Sequence, residues 1–546
     1  MKDRADLIIP SATLVPQELQ NIGKLPGIIY PINQRIVFDY IYDQYKNEVG
    51  QIDVICHQER VKIHRRLSSY KDSKIRIKDL ELLEDLGHTL YFALEGKESP
   101  VFINFADTII MDNVFDIKAD TIFYSEEYIS EAWTYFEVND GILTSLIDKQ
   151  KSNSTSKHKL FVGLFYIAYP QEFRKCLVQS FVSDCGLMST FYYALQLYSK
   201  RYKFDVKKVS NWFDIGHADT YYNSKLEVKA REFNHITIDR QRGILRKTSD
   251  DKDKFIGEIL WYLKLPSDVE YARPRIFSHS TSYENPYVEM EYYAYHTIHE
   301  MFLYGDLSYQ QWIDIFDRIK FVCNDFKRYS VSDTKIKSSL EEMYLTKTIQ
   351  RFEKLKKDVR FSNLFIKSII INNVEYKSLS KIIDILSVKI PEMLFDIDKF
   401  NIIHGDLCFA NIMVDSNISF IKMIDPRGKF GSFDIYGDRR YELAKLMHSI
   451  DGKYDYIIKD LFDIEYDTEC PNITYSVLNR KREYDIYDIF TSVFKDEIGE
   501  DLKKIELIEA LLFLSMIPLH GESLDHQMAM LATGIEILDR VIDIKY

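Results

Sequence analysis

Glycine is in short supply, 20 of 546 residues, too few for long glycine-rich linkers or disordered tracts. Cysteine is scarcer still and scattered. Cys56, Cys176, Cys185, Cys323, Cys408 and Cys470 form no C-x-x-C pair and have no histidine at zinc-like spacing, so reduced, packed thiols in a cytoplasmic protein are expected. Positive charge is short as well. With 71 Lys and Arg against 84 Asp and Glu the formal net charge is −13, which predicts no overall attraction for nucleic acid or an anionic membrane. The longest apolar run, "LIEALLFLSMIPL" at 507–519, contains Glu509 and is too short to cross a bilayer. The opening "MKDRADLIIPSATLVP" has only a brief apolar run before polar residues and proline, unlike a signal peptide. No repeat of fixed period is found.

Hydrophobic residues at 46% and charged residues at 28% give the balance of a globular protein, long enough for two to four domains. Over 1–120, apolar runs ("DLIIP", "QIDVICHQ", "VFINFADTIIM") alternate with helical patterns, which predicts an α/β domain with a largely parallel sheet. The polar run "DKQKSNSTSKHK" at 148–159 reads as a surface loop, and a long helical stretch to about Tyr202 follows "LFVGLFYIA". The character changes near 226–232. "FNHITID" and "GILRKTS" read as antiparallel strands, "KDKFIGEILWYLKLP" as a helix stopped by Pro266, and "YVEMEYY" as a strand. From about 306 the pattern is mostly helical. The expected domains are therefore 1–228, a strand-rich lobe at 229–305 and a helical lobe at 306–546.

Chemistry concentrates in "IIHGDLCFANIMVDSNISFIKMIDPRG", residues 402–428. Phosphoryl transfer to an alcohol needs a carboxylate to orient the hydroxyl and take its proton, oxygen ligands for a metal, and a cation on the phosphates. Asp406 and Asn411, five residues apart, supply the first two on one loop. Asp425 follows the apolar strand "ISFIKM", which returns the chain beside that loop and offers a further oxygen for Mg2+. Turn acids that merely stabilise a strand pair are the bland alternative.

The pattern "HGDLCFAN…IDPRG" resembles the aminoglycoside phosphotransferase and choline kinase family. The resemblance covers roughly 232–546. It implies an α+β bilobal protein-kinase-like domain using ATP and Mg2+ on a small-molecule hydroxyl: a sugar, amino alcohol or polyol. Asp406 would be the catalytic base, Asn411 and Asp425 metal ligands, and His404 a brace for the loop. Lys247 on "GILRKTS", held by Glu258 of the next helix, would be the phosphate clamp, with Arg246 the competing cation. "YVEMEYYAY" at 287–295 would lead to the adenine-binding hinge. Arg427, where many members carry other residues, could neutralise phosphate or contact an anionic substrate. Capping and surface pairing explain Asp434, Asp438 and Arg439, with a substrate role as the alternative, and packing explains Cys408.

The first 225 residues resemble nucleotidyltransferases that activate sugar phosphates and phosphocholine-type alcohols, an α/β GT-A-like fold. "LPGIIYPINQRIVFDYI" matches the stretch entering a helix, "INFADTII" ends a strand at Asp107, and "WFDIGHADTYYNSK" places Asp214 before Gly216. The resemblance implies that Asp107 and Asp214 bind Mg2+ with CTP or UTP, and that His217, Tyr221 and Lys225 line the pocket. Two features depart from it. The first loop, "PSATLVPQ", has no glycine to let backbone N–H groups approach a triphosphate, and Gly27 stands where a lysine is expected; Lys24 or Arg35 could compensate. A kinase joined to a nucleotidyltransferase suggests surface-glycan (capsule) precursor synthesis. A regulatory or binding protein with degenerate sites, or an N-terminal glycosyltransferase holding a nucleotide-sugar through Asp107, are the other readings.

Overall fold

The structure is a computed structural model that describes residues 4–127, 133–149, 157–183, 188–227, 234–239, 241–478 and 482–546. The chain divides into two compact units, Met1–Ala230 and Arg231–Tyr546. Most of the 148–159 run, Cys185 and most of the 226–232 boundary lie outside the described residues. No described helix is long and apolar enough to cross a membrane.

The N-terminal unit is built on a nine-stranded sheet. One half of it is parallel: Val101–Asn104, Asp6–Ser11, Ile52–Cys56 and Ile75–Asp79 lie side by side, the last at the edge. These short apolar runs are joined through helices such as Val37–Tyr45, Arg60–Leu67 and Leu86–Ala93, as crossovers require. The other half is antiparallel except for Asp205–Lys208, which pairs parallel to Thr121–Glu127. His158–Ile167 runs against Val101–Asn104, Thr121–Glu127 and Thr134–Asn139, and Ile142–Asp148 extends the sheet beyond Thr134–Asn139. The largely parallel arrangement expected over 1–120 is found there, and the strands beyond it make the whole sheet mixed. The physical reason lies at Asp140-Gly141, whose positive φ angles of 47° and 77° make a two-residue turn that forces a hairpin. The helical stretch to Tyr202 is two helices, Pro170–Phe181 and Thr190–Ser199. They cover one face of the sheet through Phe173, Leu177, Phe191, Leu195 and Tyr198, all fully buried.

In the C-terminal unit, Asn234–Asp239, Ile244–Ser249, Tyr287–Glu291 and Ile276–Ser280 form a four-stranded antiparallel sheet; the last strand went unread in the sequence. The helix Lys252–Lys264 follows, capped by the Asp251 side chain accepting the Lys254 N–H at 3.3 Å. Beyond it stand the helices Tyr309–Lys327, Lys347–Lys356, Leu379–Leu394, Arg439–Ile450, Leu502–Met516 and Leu524–Val541. The 306–546 stretch is less uniformly helical than expected. Ile369–Ile371, Val374–Tyr376, Phe462–Asp467 and Asn472–Val477 make a second four-stranded sheet, whose first hairpin turns at Asn372-Asn373, φ 48° and 66°. Arg439–Ile450 is buried on nearly every face, yet carries Glu442, Lys445 and His448. Buried charges must be paired or functional.

Candidate active site

The 402–428 run folds as a loop and a hairpin. The strand Phe400–Ile402 delivers His404, Gly405 and Asp406; a short turn, Phe409–Asn411, leads into Ile412–Val414 and Ile421–Met423, and Asp425 follows at once. The hairpin brings the two ends of the run together, so Asp406, Asn411 and Asp425 line one cavity of about 900 Å3 with Lys247 and Glu258. The Asn411 Nδ2 donates to the Asp406 carbonyl at 2.9 Å and to Asp406 Oδ2 at 3.1 Å. The amide nitrogen is thereby committed to Asp406, and the amide oxygen turns away from it.

His404 is buried, packs edge-on against the Trp261 ring and hydrogen-bonds to backbone on either side. Its Nε2 donates to the Ile424 carbonyl at 3.0 Å, and its Nδ1 accepts the Asp406 N–H at 3.3 Å. Burial lowers its pKa to about 4, so the ring is neutral and positions the loop. Two partners of this loop were missed in the sequence, both from Arg439–Ile450. Glu442 accepts the N–H groups of His404 at 2.8 Å and Gly405 at 2.7 Å. Lys445 Nζ lies 2.8 Å from Asp406 Oδ1. Burial would raise the Asp406 carboxyl, but the Lys445 ammonium overrides it and holds the group well below the usual carboxylate range. The available signal was a lysine three residues after a glutamate on one helix, Glu442 and Lys445.

Lys247 sits on Ile244–Ser249, 2.8 and 2.9 Å from the two Glu258 oxygens and 2.9 Å from Asp425 Oδ1. Burial works against its charge, but Asp425 and Glu258 more than restore it, raising its pKa. Arg246 faces the other way: it pairs with Glu289 at 2.7 Å and covers the Tyr287 ring. The approach of Glu258 to Asp425 depends on two glycines. A Cβ on Gly428, whose φ is +63°, would fall 2.0 Å from the Gly257 carbonyl oxygen, so the Asp425–Gly428 turn touches the helix backbone only because residue 428 lacks a side chain, while a Cβ on Gly257 would meet the Gly428 carbonyl oxygen at a tight 3.3 Å. Asp425 is itself left-handed, φ +57°, and its N–H donates to the Tyr262 hydroxyl at 3.0 Å. Arg427 donates to the Tyr441 hydroxyl at 2.7 Å. Asp438 caps its helix through the Arg440 N–H at 2.9 Å and pairs with the Arg440 side chain in the interior, where surface pairing had been expected.

In the N-terminal unit Asp107 lies in the turn between Val101–Asn104 and Thr108–Ile110, past the strand end expected for it, and Asp214 ends Trp212–Asp214. The two carboxylates flank Gly216: a Cβ there would lie 2.6 Å from Asp107 Oδ2 and 3.1 Å from Asp214 Oδ1. Asp214 is fully engaged. Trp133 Nε1, His217 Nδ1 and Thr220 Oγ1 lie 3.0, 2.8 and 3.0 Å from its Oδ2, and the Gly216 N–H donates to Oδ1 at 2.8 Å. Burial, then the charge of Asp214, pushes Asp107 up to about 6. Tyr221 donates to the Pro31 carbonyl, and the Lys225 carbonyl accepts Asn33 Nδ2. Two backbone donors of "PSATLVPQ" are taken within the protein, Leu14 N–H by Gln58 Oε1 at 3.1 Å and Val15 N–H by the Leu25 carbonyl at 2.9 Å. Arg35 is held by Asp43 at 2.5 Å.

No protein-family model matches the chain, and no curated protein matches it by sequence. Among solved structures, the N-terminal 40% or so is similar to nucleotidyltransferases. One is the CTP:phosphocholine cytidylyltransferase LicC of Streptococcus pneumoniae, at 16% identity and a TM-score of 0.35, covering 41% of this chain and 100% of that one. Another is the inositol-1-phosphate CTP transferase of T. maritima, at 13% and 0.33, covering 42% and 99%. HddC of Yersinia pseudotuberculosis follows at 16% and 0.32, covering 41% and 100%. A likeness of that size carries no argument about activity.

Proposed function

We propose that the C-terminal unit is an ATP- and Mg2+-dependent phosphotransferase acting on a small-molecule hydroxyl, with a kinase-like frame of a strand-rich lobe to 305 and a helix-rich lobe beyond. The observation that carries this reading is the single cavity holding Asp406, Asn411, Asp425 and the Lys247–Glu258 pair. The donor set suits the metal: the Asp425 carboxylate and the Asn411 amide oxygen are hard oxygen ligands. Mg2+ held there would neutralise phosphate charge. The acceptor hydroxyl oxygen bonds to the γ-phosphorus of ATP as the bond to the ADP oxygen breaks, and ADP leaves with the electron pair. Asp406 orients the hydroxyl and takes its proton. Lys445 keeps Asp406 ionised for that role, and Lys247, steadied by Glu258, supplies the cation for the phosphates.

For the N-terminal unit we propose nucleotide-dependent activation, or binding, of the phosphorylated product with CTP or UTP. Asp107 is the carboxylate left to hold Mg2+, since Asp214 already takes four donors. The product of one unit would then be the substrate of the other, as in surface-glycan precursor synthesis in the cytoplasm. The engaged loop donors favour binding over catalysis in this unit. The test is to incubate the protein with ATP, CTP or UTP over a panel of alcohols and sugar phosphates, scoring ADP and pyrophosphate. ADP lost in Asp406→Asn but kept in Asp107→Asn is the expected result. Pyrophosphate that depends on Asp107 would make the N-terminal unit catalytic. Nucleotide binding with neither product would instead favour a regulatory protein.

A further inference from the structure

The helical side of the cavity is cationic beyond what the transfer chemistry needs. Lys347 and Arg351 stand four residues apart on Lys347–Lys356, and both line the cavity with Arg427 and Lys445. Like charges at that spacing repel. The two carboxylates nearby are already taken, Asp406 by Lys445 and Asp425 by Lys247. The helices Lys347–Lys356, Arg439–Ile450 and Leu502–Met516 contribute no carboxylate to the lining. Among the described residues, no salt bridge compensates Lys347, Arg351 or Arg427. The helix also begins from a π-type segment, Glu341–Thr346, a distortion that proteins keep mostly at functional sites.

The excess lies on the acceptor side. Lys247, the cation of the strand-rich part, is bound to Glu258 and Asp425. Lys347 instead lines the cavity together with Asp406, the carboxylate that would face the acceptor hydroxyl, and with Arg427, Arg351 and Lys445. We propose that the acceptor carries an anionic group, a phosphate or carboxylate, held by Lys347, Arg351 and Arg427 while its hydroxyl faces Asp406. The inference rests on the phosphotransfer reading only in calling this ligand the acceptor; the anion site itself stands on the cavity and its cations. Planar guanidinium groups suit oxyanions through paired N–H donors, and a desolvated lysine gains most from a counter-charge. A neutral or cationic acceptor would leave Arg351 and Arg427 in the cavity wall without a counter-charge.

Two measurements test it. The first is calorimetry on the full chain loaded with Mg2+ and a non-hydrolysable ATP analogue, so that the triphosphate site is filled. Titrants are glycerol 3-phosphate, glycerate and glycerol. Binding of an anion but not glycerol, weakened at least tenfold in Lys347→Met and in Arg351→Met, is expected. Stronger binding of the phosphate than of the carboxylate would identify a phosphomonoester acceptor, and the reverse a sugar acid. Equal binding of glycerol, or anion binding that both variants leave unchanged, would overturn the proposal. The second measurement compares kinetic constants for matched neutral, amino and phosphorylated acceptors. A rise in acceptor KM with ATP KM unchanged in Lys347→Met is expected; a rise confined to ATP KM would assign these cations to the triphosphate and overturn it. Failure of the phosphotransfer reading looks different: ATP consumption would then be unaffected by Asp406→Asn, whatever the calorimetry shows.

Discussion

Replacing Lys445 by Met removes the charge that keeps Asp406 ionised and leaves a side chain of similar length. The ammonium lies 2.8 Å from Asp406 Oδ1. At that distance the attraction is about 6 kcal/mol for an effective dielectric near 20 and about 1.5 kcal/mol in bulk water. The Asp406 side chain is 40% exposed to the cavity, so screening favours a middle value, about 3 kcal/mol or about two pKa units. The base must be ionised to accept a proton, so raising its pKa moves the acidic limb of the kcat/KM profile upward. In the wild type that limb lies below the ordinary Asp value near 4; in Lys445→Met it should lie about two units higher. The assay is ADP formation between pH 4 and 9, with circular dichroism to confirm folding. The variant should begin to lose activity at the acid end of that range, near pH 4, where the wild type keeps it. Acidic limbs that coincide would refute the pairing as the source of the ionised base.

Other outcomes follow from the same contacts. Glu442→Ala strands the buried N–H groups of His404 and Gly405 and should cost about 2–4 kcal/mol in chemical denaturation, with kcat falling as the loop loosens. Gly428→Ala would press a methyl group into the Gly257 carbonyl and impose φ +63° on alanine, so it should lower the melting temperature and kcat together, whereas Lys429→Ala, on an exposed side chain, should change neither. Burial, with the charges of Arg427, Arg351 and Lys445, lowers Lys347 to about 7 from a usual 10.5. The unfolded chain therefore binds more protons between those values, and wild-type stability relative to Lys347→Met should rise from pH 7 to 10.5, by up to about 4 kcal/mol; parallel curves for the two proteins would contradict this. Chelating divalent metal should abolish ADP formation, and Mg2+ should restore it.

The meeting of Asp406, Asn411 and Asp425 was legible because all three lie within one loop and hairpin, where spacing fixes geometry. Lys247 and Glu258 were legible for a similar reason: a strand followed by a helix leaves few ways to bring eleven residues back together. Glu442 and Lys445 were not, because they reach the loop from a helix some forty residues later, and no local pattern encodes that packing. Lys347 and Arg351 were hidden in the same way. The antiparallel half of the N-terminal sheet and the second C-terminal sheet were readable in principle. Asp140-Gly141 and Asn372-Asn373 are two-residue turn signals between apolar runs. At Asp107 and Asp214 the sequence showed two acids, while only the structure shows that Asp214 is saturated by Trp133, His217, Thr220 and Gly216.

The most direct test of the central claim follows the phosphorus. With Mg2+, ATP and a panel of phosphorylated and carboxylated polyols, 31P NMR should show a new phosphomonoester resonance growing as ADP appears, one for one, with the wild-type chain and not with Asp406→Asn. ADP accompanied only by inorganic phosphate, or a phosphomonoester formed equally by Asp406→Asn, would contradict the account.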